Sequence, residues 1–491
     1  MFDLSKFQSE LRRQNLSTWD KSSATWRPIP VALNPVVVAK TDWQLLVHDA
    51  RLILSCFPLV LAWTQRTENQ ALWQRIFGGL DGIEREAARC SPDANSGFAT
   101  MRFDLFWHGD DLKVIEANCT IPAMQAYSDM VMNAWSAANG MAAPIGGNSD
   151  DLLDSLLASW HRDGGGNDVR TKGDGRQGRT ARPRVAILHR EGDSQLAELM
   201  YLEDRWQGRA EAFRVTPADW GQRSADFVYR HIFASRLSHL SGHSQLLTAL
   251  RDARRHRIYN PVSAHYEVKA FLAMVSVLAS NDSLSAAAGL SPEQRAATCG
   301  RVPWTRVIAS VKFPVAQISS AFGESEADFI GNCADFVIKG SFGYGGHLVF
   351  VGSELNQPEN QVRLQNLLKV TDTVTPAIFW RWITAESSDV WIIQRRMSGR
   401  RHKSQVIFSG KGGIEANNSA SNDVINGYVD ASVFLNSGAP PLCGGGVSRF
   451  SEGPVVNIGT GGGLAPLIIR NETKIIESSA NETPTAKAPH G

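Results

Sequence analysis

The sequence predicts an α/β chain of the α+β kind, with a helical N-terminal region, a small open-sheet α/β unit and a strand-rich C-terminal half. Three observations carry this. Apolar residues recur at helical spacing from Asp42 to Arg89. Short apolar strands alternate with one helical pattern between Val185 and Ile232, and brief β-rich runs bounded by glycine or polar residues follow Phe336. The 491 residues exceed one ordinary domain and suit two or three.

Composition narrows the classes. With 43% hydrophobic and 20% charged residues the chain can bury a large core, which excludes disorder throughout. Fifty basic against 49 acidic side chains leave a net charge of +1, so a general polyanion binder is not expected and no nucleic-acid partner is proposed. The cysteines (Cys56, Cys90, Cys119, Cys299, Cys333, Cys443) lie far apart with no CxxC pair, which suggests reduced thiols in a cytoplasmic protein. The N-terminus interleaves charged and apolar residues, unlike a signal peptide. Leu52 to Trp63 is about half the length needed to cross a bilayer and contains Pro58, so a buried helix is expected and no membrane partner.

Taken in order, Leu45, Leu46, His48, Leu52 and Ile53, then Leu72, Ile76, Leu80 and Ile83, predict two or three packed helices. Ala99 to Trp107 and Leu112 to Ala117 read as strands around a turn at 108–111, a hairpin. Asp150 to Trp160 is helical and closes a first region, 1–160. Glycine and charge dominate 161–184, a disordered linker or surface insertion by composition. The small α/β unit, 185–260, has strands at Val185–His189, Ala212–Thr216 and Phe227–Ile232 and a helix at Ser194–Trp206. In 261–476, helices are expected at Val268–Ser280 and Pro292–Thr298, then strands at Phe336–Gly340, Leu348–Gly352 and Val390–Arg395. The polar tail 477–491 is expected to be disordered.

Two segments concentrate chemistry. Along the hairpin, alternation places Arg102 with Asp104 on one face and Glu116 with Asn118 on one face. Two carboxylates and an amide oxygen suit Mg²⁺, and the arginine offers a planar fork for a phosphate or carboxylate oxygen; the alternative is an exposed hairpin with polar residues facing solvent. The second segment runs from Val337 through Lys339 into Gly343-Tyr344-Gly345-Gly346 and out to Val349, where an ammonium and free backbone N–H groups can close over phosphates. A plain glycine-rich hairpin is its alternative. Val390 to Arg395 resembles a strand against which a purine slides, or an ordinary core strand. Gly444 to Gly446, Ser448-Arg449, Asn457 and Gly459 to Gly463 form a second glycine-rich region of the kind also found in surface loops. His239 and His243 have metal-compatible spacing without a third ligand, and no zinc site is assigned to them.

In this order the segments resemble the circularly permuted ATP-grasp family, the glutathionylspermidine synthase-like carboxylate–amine ligases, over roughly Thr100 to Asn118 and Asn260 to Pro466. The R-x-D strand is Arg102-Phe103-Asp104 and the E-x-N strand Glu116-Ala117-Asn118. The N-P … K element resembles Asn260-Pro261 and Lys269, the lysine strand and glycine loop Lys339 and Gly343 to Gly346, and the hinge strand Trp391 to Gln394. The closing G-G-x-S-R … V-N … G-G-G pattern is similar to Gly445 to Arg449, Val456-Asn457 and Gly461 to Gly463. Arg395-Arg396 departs from the acidic residue that often follows the hinge in relatives.

The resemblance implies ATP and Mg²⁺ as cofactors and an amide or peptide bond made through an acyl phosphate. The substrates would be a small-molecule or peptide carboxylate and an amine. Asp104, Glu116 and Asn118 would hold the metal. Lys269, Lys339, Gly343, Tyr344, Gly345, Gly346, Gln394 and Asn457 would bind nucleotide, and Arg102 and Arg449 would be catalytic. An ATP-dependent phosphotransferase on the same site, or a non-catalytic nucleotide-binding subunit, are the alternatives.

Overall fold

The computed structural model of the protein describes residues 2–89, 98–142, 147–165, 182–238, 244–308, 326–343, 346, 348–407, 424–437 and 445–470. Three sheets position the site. The largest has seven strands in the order Arg400–Ile407, Val31–Ala32, Gly463–Ala465, Gly446–Ser451, Val424–Asn436, Thr100–His108, Asp111–Asn118. The long strand Val424–Asn436 serves three partners in turn. Residues 424–429 pair with 400–405, residues 428–433 with 446–451, and residues 430–436 with 100–106. Its extra pairing with Arg400–Ile407 closes the first five strands into a ring, from which the hairpin extends.

The second sheet is antiparallel, in the order Thr305–Val307, Trp391–Arg395, Phe336–Gly340, Val349–Val351. Phe350, Phe379 and Trp391 pack in the core beside it. The third, in the small α/β unit, is fully parallel: Ile258–Tyr259, Phe227–His231, Arg184–His189, Glu211–Val215. Helix Leu196–Trp206 follows Arg184–His189 there, as a parallel crossover requires.

The helices follow from their sequences. Lys269–Ser280 is apolar on every side and is buried from Lys269 to Ala279, the pattern of a helix wedged between layers. It packs on Lys40–Thr64 and on Pro292–Arg301, the latter started by a capping box between Ser291 and Gln294. The apolar stretch expected at 52–63 is the C-terminal half of Lys40–Thr64, with Pro58 inside it. By length and composition this is the one helix among the described residues able to cross a membrane, or one of two spans if a bent helix pair counts. Trp43, Leu46, Val47, Ile53, Phe57 and Val60 place much of it in the largest core cluster. Helices Gln70–Phe77 and Gly82–Arg89 complete the expected N-terminal set.

Other parts differ from expectation. Gly446–Ser451, within what the sequence suggests is a loop-like glycine region, is a strand buried up to Phe450. A Cβ on Gly446 would stand 2.6 Å from Trp43 and 2.7 Å from Leu467, so glycine there serves packing. Strands Arg400–Ile407 and Val424–Asn436 and helices Leu4–Arg13 and Gln125–Ala138 carry no sequence expectation. Most of the expected linker (166–181), the tail, Cys90, Cys443, His239 and His243 lie outside the described residues.

Candidate active site

The hairpin brings its polar residues together by register. Arg102 faces Asn118 and Asp104 faces Glu116, after which the register shifts so that Leu105 faces Val114. Ile115 is the extra residue of a β-bulge, and such bulges re-aim backbone groups beside functional sites. Its carbonyl, released from the ladder, accepts a hydrogen bond from Lys339 Nζ at 3.2 Å. Thr100 to Trp107 are buried, so the hairpin is not a ribbon with one face in solvent.

Asp104 is held between two arginines. Arg102 donates to it from Nε at 2.7 Å and from Nη2 at 3.3 Å, Arg449 Nη2 lies 3.0 Å away, and Ser432 Oγ donates at 3.0 Å. Burial pushes its carboxyl upward, but the two guanidinium groups outweigh burial and hold it well below the usual carboxylate range. Arg449 is fixed in turn by Asp430, to which it donates from its backbone N–H and from Nε, both at 2.8 Å. Between two carboxylates Arg449 stays charged despite burial. Arg102 Nη1 also donates to the carbonyl of Ala123 at 2.6 Å, tying the hairpin to the loop that follows it.

The two lysines approach from other elements. Lys269, first residue of its helix, places Nζ 3.1 Å from Glu116 Oε1 and donates to Gly343 O at 2.5 Å. Ser341 caps that helix, its carbonyl accepting from Lys269 N at 3.2 Å and its hydroxyl from Ala270 N at 3.0 Å, which fixes the lysine strand against it. Lys339 donates to Gln394 Oε1 at 2.8 Å, and Gln394 Nε2 donates to Thr305 Oγ1 at 3.0 Å. Burial lowers Lys339 to about 8, with Lys269 acting in the same direction and Glu116 and Asp104 opposing.

These residues line one cleft of about 410 Å³. Arg102, Asp104, Glu116, Asn118, Lys269, Lys339, Gly346, Gln394, Arg449 and Asn457 all face it. One end is apolar, with Ile115, Val337, Val351, Met397 and Val456, and suits a flat heteroaromatic ring. Gly346 has φ +77°, open to glycine at little cost, and Asn457 Oδ1 accepts from Gly459 N at 2.9 Å. Gly343 is not among the lining residues and enters through its carbonyl on Lys269; Tyr344 and Gly345 lie outside the described residues. Asn260 has a structural place: Oδ1 accepts from Ala99 N at 2.9 Å and Thr100 N at 3.2 Å while Nδ2 donates to Thr100 O at 2.9 Å, so its amide acts as a strand partner where the hairpin begins.

The donor set suits a hard cation. Two carboxylates and an amide stand on paired strands, and no group of three or more His, Cys, Asp or Glu suited to a metal occurs among the described residues, so a cation would share them with ligand oxygens. Glu116 is the better placed carboxylate: its side chain is 28% exposed and Oε1 alone is engaged by Lys269, whereas both Asp104 oxygens are already engaged by arginine.

The cleft also contains residues that the sequence did not single out. Asp430 is a lone carboxylate in an apolar strand. The small α/β unit contributes Arg190, Asp193, Ser194, Gln195, His231 and Phe233 from the carboxyl ends of its strands, where open parallel sheets bind ligands. The loop from Ile121 to Met124 joins them. Met124 has φ +88°, a strained value for a side chain with a Cβ. Glu198 Oε1 accepts from Met124 N at 2.7 Å and Ala126 N at 3.2 Å, and Glu267 Oε1 from Cys119 N at 2.7 Å, so two buried glutamates anchor the loop.

No family model matches the chain, and no curated protein does. Among solved structures it is similar to a glutathione synthetase-like effector from Globodera pallida in apo form, at 11% identity and a TM-score of 0.52, over 95% of this chain and 97% of that one. A protein from Methylobacillus flagellatus KT assigned as a gamma-glutamylcysteine synthetase aligns over 86% of this chain and 85% of that one, at 9% identity and a TM-score of 0.34. The first likeness is one of fold alone: the mixed α/β architecture expected from the sequence is shared with that protein along nearly the whole of both chains.

Proposed function

We propose that the chain is an ATP- and Mg²⁺-dependent ligase that joins a carboxylate to an amine through an acyl phosphate. One observation carries the reading. Residues spread from Arg102 to Asn457 meet in one cleft, with an apolar end against the antiparallel sheet and a cluster of cations and carboxylates beyond it. Packing alone gives no reason for four cationic side chains (Arg102, Lys269, Lys339, Arg449) to be buried around Asp104, Glu116 and Asp430.

The chemistry asks for such a cluster. A carboxylate approaching a triphosphate meets charge repulsion, and Mg²⁺ supplied at Glu116, Asn118 and Asp104 would lower it. Lys339, near the apolar end, and Lys269 bind phosphate oxygens. Arg449, kept charged and aimed by Asp104 and Asp430, stabilises the transferring phosphoryl group. Arg102 orients the acceptor carboxylate. No protein nucleophile is needed.

Incubating the protein with Mg²⁺, ATP and pools of carboxylates and amines tests this. The expected outcome is ADP, free phosphate and an amide product by mass spectrometry. ADP with a phosphorylated acceptor and no free phosphate would replace the reading with a phosphotransferase.

A further inference from the structure

His231 ends the inner strand Phe227–His231 of the small parallel sheet, opposite His189 in the register, and lines the cleft. It is 2% exposed, yet neither ring nitrogen has a hydrogen-bond partner. A buried polar group left unpartnered costs free energy and calls for a reason. Asp193 Oδ2 lies 3.9 Å from Nδ1, within ion-pair reach though beyond a hydrogen bond. Asp193 is itself fixed, with Oδ1 accepting from Gln195 N at 2.9 Å and Arg190 Nε 3.5 Å from Oδ2. Burial raises the Asp193 carboxyl, but His231, the Gln195 N–H and Arg190 together outweigh it and hold it below the ordinary carboxylate range. Among the described residues, His189 on the adjacent strand, Glu198 on the helix, which also senses Arg102, and Tyr127 act on the pair as well.

A carboxylate beside Nδ1 favours the tautomer with its proton there, leaving Nε2, buried in the cleft wall and without a partner, as the acceptor. We propose that His231, oriented by Asp193, accepts the proton released when the amine attacks the acyl phosphate. The inference rests on the ligase reading and adds a proton acceptor to it. In the step, the amine nitrogen forms the C–N bond to the acyl carbon. The C–O bond to phosphate then breaks, its electron pair leaving with phosphate, and the proton shed by nitrogen moves to Nε2. The imidazolium formed sits beside the Asp193 carboxylate, which stabilises it.

The two half-reactions separate this role from the ligase reading. The full chain is supplied with Mg²⁺, ATP and a pool of proteinogenic amino acids as both carboxylate donors and amines, with hydroxylamine added in parallel to trap acyl phosphate as hydroxamate. Hydroxylamine attacks unaided. His231→Gln is expected to lower amide formation at pH 7 about 10²-fold while hydroxamate yield changes by less than about threefold, since a positioned base supplies a factor of this order. The deficit should shrink as the pH rises, because solvent base then takes up the proton that nitrogen sheds. Asp193→Asn should shift the same ratio in the same direction and guards against misfolding of the first variant. Equal losses of hydroxamate and amide, or normal amide formation at pH 7, would overturn the proposal. Absence of both ADP and hydroxamate from the wild-type protein would overturn the ligase reading, and this role with it.

Discussion

Glu116 and Asp104 stand opposite each other in one strand pair, yet they differ as targets for substitution. Glu116 pairs with Lys269 and is partly exposed, so Glu116→Gln is expected to cost less urea-denaturation stability than Asp104→Asn and to lower ADP formation by about 10²-fold, the scale of one lost electrostatic group. Asp104→Asn leaves Arg102 and Arg449 facing a neutral amide in the interior, and should cost about 3 kcal/mol of stability in addition to activity. Asp110→Asn in the hairpin turn is the control and should change neither. If Asp104→Asn matched Glu116→Gln in stability, the arginine clamp would not contribute as its geometry suggests. Glu198 offers a test of sign. Burial raises its carboxyl from the ordinary 4.5 to about 7, with His231 and two backbone N–H groups opposing. The folded state therefore binds the proton more tightly than the unfolded chain. That contribution is complete below about pH 4.5, is lost as the pH rises through about 7, and amounts to about 3 kcal/mol. Glu198→Gln should consequently flatten the fall in stability between these limits and be more stable than wild type at pH 8. A parallel pH dependence in both proteins would sink that account.

At the scale of elements, the hairpin depends on a side chain from far along the sequence. Asn260→Ala would leave Ala99 N, Thr100 N and Thr100 O without their buried partner, at a cost of about 3 kcal/mol read by urea denaturation. A cost within error of zero would show that water replaces the amide. The hairpin was legible in the sequence because it alternates, turns on His108 to Asp111 and carries four polar residues at fixed spacing. The lysine strand was legible for its glycine boundary. Strand Gly446–Ser451 was not, since it opens on a glycine that carries no strand propensity and is required by Trp43 and Leu467, a contact made only in the fold. Strand Val424–Asn436 hides for another reason: its polar Asp430 and Ser432 face the site and interrupt the apolar pattern. His231 and Asp193 are isolated residues in the chain, and only the placement of Phe227–His231 beside Arg184–His189 gives them a shared function.

For the molecule as a whole, the site lies where three sheets meet, so nucleotide bound there should stabilise the entire fold. Saturating Mg²⁺ and ATP at about 100 times Kd is expected to add about 2.7 kcal/mol, visible as a raised Tm. An unchanged Tm would remove the nucleotide site. The seven-stranded sheet also has an order in time. Strand Thr100–His108 emerges from the ribosome with one partner, Asp111–Asn118, at once, while its other neighbour, Val424–Asn436, follows more than three hundred residues later. At roughly 5–20 residues per second that wait lasts tens of seconds, during which a strand destined for the interior presents an unpaired edge. Such an edge is a template for pairing with other chains, so expression yield should depend on translation speed and on holding factors more strongly than the stability of the finished protein would suggest.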